Sequence, residues 1–214
     1  MDGTKHEGLL VVMNSPAIPD QVNEWHQWQD TEHRPAILGT KIFTTADRFE
    51  TIASAEAPAE TRYLSLYQTP RTDADQAQKE MGKALAAHTA APRPPSIRAL
   101  NATYAKLSEF GEANRPRAGS IMLVAADCTD PNEETGFNKW YDEVHVQEVM
   151  AHRRHSGCAR YVAHNPKPWQ PKYVVVYENP NDDAGQSTGP FSSTLSSAPS
   201  SLRLWCMIPY KRIT

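Results

Sequence analysis

The sequence predicts an α+β fold made of two tandem βαββαβ units, and three observations predict it. A Trp-x-Asp-x-x-His motif occurs twice, as Trp28, Asp30 and His33 and again as Trp140, Asp142 and His145. A shift of 112 positions (28 to 140) superposes these residues without a gap and also brings Arg48 onto Arg160 and Phe49 onto Tyr161. Short apolar runs of strand type flank both motifs in the same order, and self-similarity of this kind is the mark of a repeated unit.

Each element follows in turn. Gly8–Met13 and Ser120–Ala125 are matching apolar runs, read as first strands. Pro19 and Pro131 precede the first helices. In copy two, Phe137, Trp140, Tyr141 and Val144 are spaced i, i+3, i+4, i+7; in copy one Val22, Trp25 and Trp28 continue a similar stripe. Second strands are expected around Arg48 and Arg160. The shift then becomes 110 (63 to 173), laying Tyr63–Pro70 over Tyr173–Pro180, so the two lost residues fall in a loop. Ala74–His88 is rich in helix formers, whereas Asp182–Ser201 carries Ser, Gly and Pro and is expected to be short or irregular. Thr103–Phe110 and Leu202–Lys211 read as last strands.

The order strand, helix, strand, strand, helix, strand is that of a ferredoxin-like unit. The expected division is a first repeat over 1–112, a linker over 113–119 and a second repeat over 120–214. A single unit with helices on one face leaves the other sheet face bare. Two units in one chain are expected to cover those faces by packing sheet to sheet. The expected state is a monomer with pseudo-twofold symmetry or a homodimer.

Composition narrows the function classes. The chain has 214 residues, 39% hydrophobic and 22% charged, with a net charge of −3. No basic stripe suggests nucleic acid, and no apolar run approaches the length of a membrane span. Three cysteines, Cys128, Cys158 and Cys206, lie far apart, which argues against a disulfide framework. A cytoplasmic location is the default expectation. Eight histidines include His145, His152 and His155, but Thr40 and Phe43 stand at the copy-one equivalents of the last two. The neighbouring Arg153 and Arg154 also disfavour a cation, so no metal site is expected. No Gly-rich phosphate loop or nucleophile elbow occurs.

Site candidates come from the motif. With about 100° per residue, His145 lies about 80° from Phe137 and Asp142 about 140°. The imidazole is thus placed at the border of the buried face, with a carboxylate beside it. Asp30 and Asp142 are expected to orient His33 and His145, a pairing that suits acid–base work near neutral pH. Strand tyrosines Tyr67 and Tyr177 are candidates to stabilise oxyanion charge, or core residues. Trp28 and Trp140 read as core residues or ligand platforms. Arg48 and Arg160 read as ion-pair partners of the helix carboxylates or as binders of an anionic substrate. Trp169, in a Pro-rich loop, is either a loop anchor or part of a pocket mouth.

The strand, Trp-x-Asp-x-x-His helix and strand-pair order resembles the dimeric α/β-barrel superfamily. Copy one, with Glu32-His33-Arg34-Pro35, is similar to its EthD-type branch. Copy two has His145-Val-Gln instead and is closer to stress-responsive and monooxygenase-like members. The resemblance implies a pocket between sheet and helices, in which a His with a Tyr partner moves protons. The expected function is cofactor-independent acid–base catalysis on a small apolar carbonyl, polyketide or phenolic compound, as cyclisation, isomerisation or decarboxylation. His33, Asp30 and Tyr67 would be catalytic, with His145, Asp142 and Tyr177 their counterparts; Trp28, Arg48, Trp140 and Arg160 would contact substrate. No cofactor is expected on this reading. Two alternatives stand beside it: a non-catalytic binding or stress-related module, and a heme-binding or cofactor-free monooxygenase.

Overall fold

A computed structural model describes residues 5–52, 58–86, 92–112, 115–151, 155–180 and 197–213. The described residues form eight strands, numbered in chain order. They form two compact units. One comprises residues 1–48, 57–105 and 214; the other comprises 49–56 and 106–213.

In unit 1, β1 (Gly8–Pro16) pairs antiparallel with β3 (Tyr63–Thr69) on one side and with β4 (Ser96–Gly111) on the other. The β1–β4 register slips between Met13 and Asn14. β2 (Thr45–Thr51) carries Arg48. One helix face is built from α1 (Val22–Trp28), a single π-turn (Gln29–His33) and α2 (Arg34–Gly39), joined end to end. α3 (Ala74–Ala86) buries Ala74, Ala77 and Met81. The helices and sheet share a core of Leu10, Ile37, Phe43, Tyr67, Ala77 and Met81.

Unit 2 repeats the scheme. β5 (Ser120–Cys128) lies between β7 (Tyr173–Asn179) and β8 (Leu202–Arg212), and β6 (Gly157–Val162) flanks β7. α4 (Glu134–Trp140), a π-turn (Tyr141–His145) and α5 (Val146–Ala151) follow one another as in unit 1. Phe49–Thr51 at the end of β2 pairs with β8. β4 ends at Gly111, whose φ of 100° and a neighbouring Ser156 oxygen 2.5 Å from the place of a Cβ admit only glycine.

The π-turn corrects the helical projection. One residue is inserted, so positions beyond it lag by about 100°. Val144, expected on the buried stripe, is exposed, and His145, expected at its border, is buried. The second helix foreseen as irregular over 182–201 falls largely outside the described residues, as do His152, Arg153 and Arg154. No helix among the described residues is long and apolar enough to cross a membrane.

Candidate functional site

Each unit contains a fully buried arginine held by the helix above it. In unit 1, Arg48 is 1% exposed; its Nη1 donates to Asp30 Oδ1 at 2.8 Å and its Nη2 lies 2.8 Å from His26 Nδ1. In unit 2, Arg160 is 0% exposed; its Nη1 donates to Asp142 Oδ1 at 2.5 Å and its Nη2 to Asn138 Oδ1 at 2.8 Å. A buried guanidinium needs such acceptors, since an unpaired buried charge is costly. Sequence reasoning identified the Arg–Asp pairs and missed His26 and Asn138. The available signal was that these two polar residues superpose under the same shift (26 to 138), each one place after a core aromatic, Trp25 and Phe137.

Asp30 is therefore turned to Arg48, and to Arg34 at 3.5 Å, and no hydrogen bond joins it to His33. Asp142 likewise serves Arg160 and accepts from Ser108 Oγ at 2.8 Å. In both halves the motif carboxylate is committed to the buried arginine.

The two histidines differ. His145 is 3% exposed, stacked on Trp140 at 5.0 Å and set edge-on to Tyr141 at 4.8 Å. Around it Phe137, Tyr141, Cys158, Tyr173, Val175 and Tyr177 form a continuous core. Tyr141 also covers Arg160 at 4.2 Å. Burial drives the Tyr177 phenol well above its ordinary value, Tyr141 and Cys158 adding to the shift. Those groups stay protonated, as a packed interior requires.

His33 is only partly buried. Its ring stacks on Trp28 at 4.7 Å, and no described residue hydrogen-bonds either ring nitrogen. Burial first, and then the guanidiniums of Arg93, Arg98 and Arg48, lower its imidazole from 6.5 to about 4. Arg93 donates to Ser96 Oγ at 2.6 Å, and neither Arg93 nor Arg98 has an acidic partner among the described residues. Tyr67 is buried in this unit. Burial raises its phenol; a hydrogen bond with Ser65 and the charges of Arg48, Arg34 and Arg93 oppose the rise. Around His33, unit 1 thus combines an imidazole that no described residue hydrogen-bonds with the nearby guanidiniums of Arg93, Arg98 and Arg48. Arg93 and Arg98 were missed because they lie far along the chain from the motif.

Trp169 is half exposed, with Lys167 Nζ 5.2 Å from its ring, as suits a loop anchor. Among the described residues no group of three His, Cys, Asp or Glu is placed to hold a metal ion.

No protein-family model matches the chain, and no curated protein matches its sequence. Solved structures do match its fold. A candidate chlorite dismutase aligns with a TM-score of 0.63 at 9% identity, covering 98% of this chain and 96% of the other. A heme-binding protein from Thermus thermophilus gives 0.56 at 8%, covering 98% and 92%. A candidate monooxygenase from Fusobacterium nucleatum gives 0.52 at 8%, covering 98% and 94%. These likenesses establish the fold, that of the dimeric α/β-barrel proteins, at identities too low to transfer an activity.

Proposed function

We propose that the chain is a cofactor-free oxygenase acting on a phenolic or enolisable small molecule, with its site in unit 1 at His33. The observation that carries this reading is the setting of His33: its ring stacks on Trp28, no described residue hydrogen-bonds its nitrogens, and the neighbouring Arg93 and Arg98 lack acidic partners among the described residues. The field that keeps a proton off His33 also favours an anion, so it would lower the pKa of a bound phenol. The guanidiniums of Arg93 and Arg98 hold the forming phenolate, whose charge offsets theirs, raises the imidazole pKa and lets His33 accept the phenolic proton. An electron-rich phenolate reduces dioxygen; one oxygen atom enters the substrate at an activated CH2 and the other leaves as water with its two hydrogens. The fold neighbours named for monooxygenase and chlorite chemistry support an oxidative reading over cyclisation, isomerisation or decarboxylation. Those reactions share the proton-abstraction step and remain distinguishable by oxygen uptake.

The two motif histidines are the candidate axial ligands for a heme. His145 is buried, its ring stacked on Trp140 and set edge-on to Tyr141 within the unit 2 core, so aromatic side chains occupy the faces of its ring. His33 has the right protonation state, but no carboxylate or carbonyl orients its second nitrogen, as an axial histidine ordinarily requires. Neither histidine fits the axial role.

Duplication of one ancestral unit is part of the same proposal, with repeats over 1–112 and 120–214 joined by 113–119 and copy one of EthD type. The matched Arg–Asp pairs and π-turns support it.

The test is an oxygen electrode with purified protein and a panel of phenols bearing an activated C–H. Oxygen uptake is expected without hemin and in the presence of a chelator. Uptake that requires hemin, together with a Soret band lost in His33→Ala, would contradict the cofactor-free reading.

A further inference from the structure

Two buried polar atoms at the start of the unit 1 π-turn have no partner among the described residues. Gln29 is 2% exposed and its Oε1 lacks any hydrogen bond; Trp28 is 9% exposed and its indole N–H also lacks one. Leaving a buried donor or acceptor unmet costs about 1–3 kcal/mol each, and two adjacent cases in one turn call for a partner. They sit beside the residue whose ring stacks on Trp28, namely His33.

The equivalent positions of unit 2 are satisfied. Trp140 Nε1 donates to Ser197 Oγ at 3.2 Å, and the Tyr141 hydroxyl is hydrogen-bonded with Tyr177. Where unit 2 places a large aromatic at position 141 and fills its interior, unit 1 places the shorter carboxamide of Gln29. At these two positions the same backbone therefore presents hydrogen-bonded side chains in one unit and, among the described residues, an open acceptor and an open donor in the other.

We propose that Gln29 and Trp28 determine the specificity of the unit 1 site, and that its ligand is a hydroxyaryl carboxylate. The ligand hydroxyl donates to Gln29 Oε1 until its proton passes to His33, a carboxylate oxygen accepts from the Trp28 indole N–H, and the guanidiniums of Arg93 and Arg98 face the carboxylate and the phenolate that forms beside it. A ligand with an adjacent donor and acceptor satisfies both orphaned atoms at once, which neither a plain phenol nor a plain benzoate does. This rests on the unit 1 site proposed above.

Calorimetry with salicylate, benzoate and phenol tests it. Wild-type protein is expected to bind salicylate about tenfold or more tighter than benzoate, in line with one buried hydrogen bond. Gln29→Met keeps the side-chain length, removes the acceptor, and is expected to abolish that preference while benzoate binding survives. Trp28→Phe is expected to weaken salicylate and benzoate together. Should Gln29→Met fold poorly, Gln29→Glu serves instead: its negative charge is expected to repel both carboxylates and leave phenol binding intact. An unchanged salicylate-to-benzoate ratio in Gln29→Met, or undiminished affinity for both carboxylates in Gln29→Glu, overturns the assignment, and so does a wild-type protein that does not distinguish the two. Salicylate binding that leaves the His33 ring resonances unmoved would place the ligand elsewhere and count against the unit 1 site itself.

Discussion

His33→Ala is expected to lower kcat/KM for the phenolic substrate by about 10²-fold or more, the usual contribution of a positioned base. His145→Ala is expected to leave turnover in place and to lower the melting temperature, because His145 fills space between Trp140 and Tyr141. The pH profile gives the sharper readout. His33 must be neutral to accept a proton, so activity is lost as the pH falls through its pKa. The acid limb of kcat/KM reports the free enzyme and is expected near 4, where burial and the guanidiniums of Arg93, Arg98 and Arg48 place it. Arg98→Met removes one of those charges and is expected to move the limb upward, toward 6.5. A limb that stays in place when either unpartnered arginine is removed would separate His33 from the reaction.

Asp142→Ala is expected to destabilise the protein by about 3 kcal/mol, near the low end for breaking a buried ion pair, since Asp142 itself is about a third exposed. The loss comes from what remains. Arg160 is completely buried, its Nε already lacks a partner, and Asn138 alone would face the guanidinium. Removing the charge along with its partner avoids that penalty. The double variant Asp142→Ala with Arg160→Met is therefore expected to be more stable than Asp142→Ala alone, although it forfeits the contact of Arg160 with the Tyr141 ring. Urea denaturation of the three variants measures this. A double variant less stable than Asp142→Ala would show that the pair does not act as a unit.

The repeated Trp-x-Asp-x-x-His motif made the first helices and the Arg–Asp pairs legible, because buried aromatics and charged pairs leave rare residue types at fixed spacing. The π-turn was not legible. An extra residue in a helix leaves no mark on composition, yet it reverses the exposure of Val144 and His145. The role of the motif carboxylate was misread for a related reason. Three residues along a helix puts Asp30 near His33, but a fully buried guanidinium on a neighbouring strand competes for the same oxygens and wins, since its desolvation is the larger cost. Gln29 was invisible until its burial was known: an unmatched carboxamide is a property of surroundings, not of sequence. The asymmetry of the halves is the opposite case. Glu32-His33-Arg34-Pro35 in copy one pointed to that half from sequence, and it is there that the free imidazole, the unpartnered arginines and the orphaned Gln29 and Trp28 atoms occur together.

All of these assignments turn on one property, a neutral and uncommitted His33 in a cationic setting. NMR titration of the His33 ring protons, assigned by comparison with His33→Ala, measures it directly. The structure predicts a midpoint near 4 in the free protein, rising when salicylate supplies a negative charge to the arginines. A midpoint near 6.5 that salicylate does not move would contradict it.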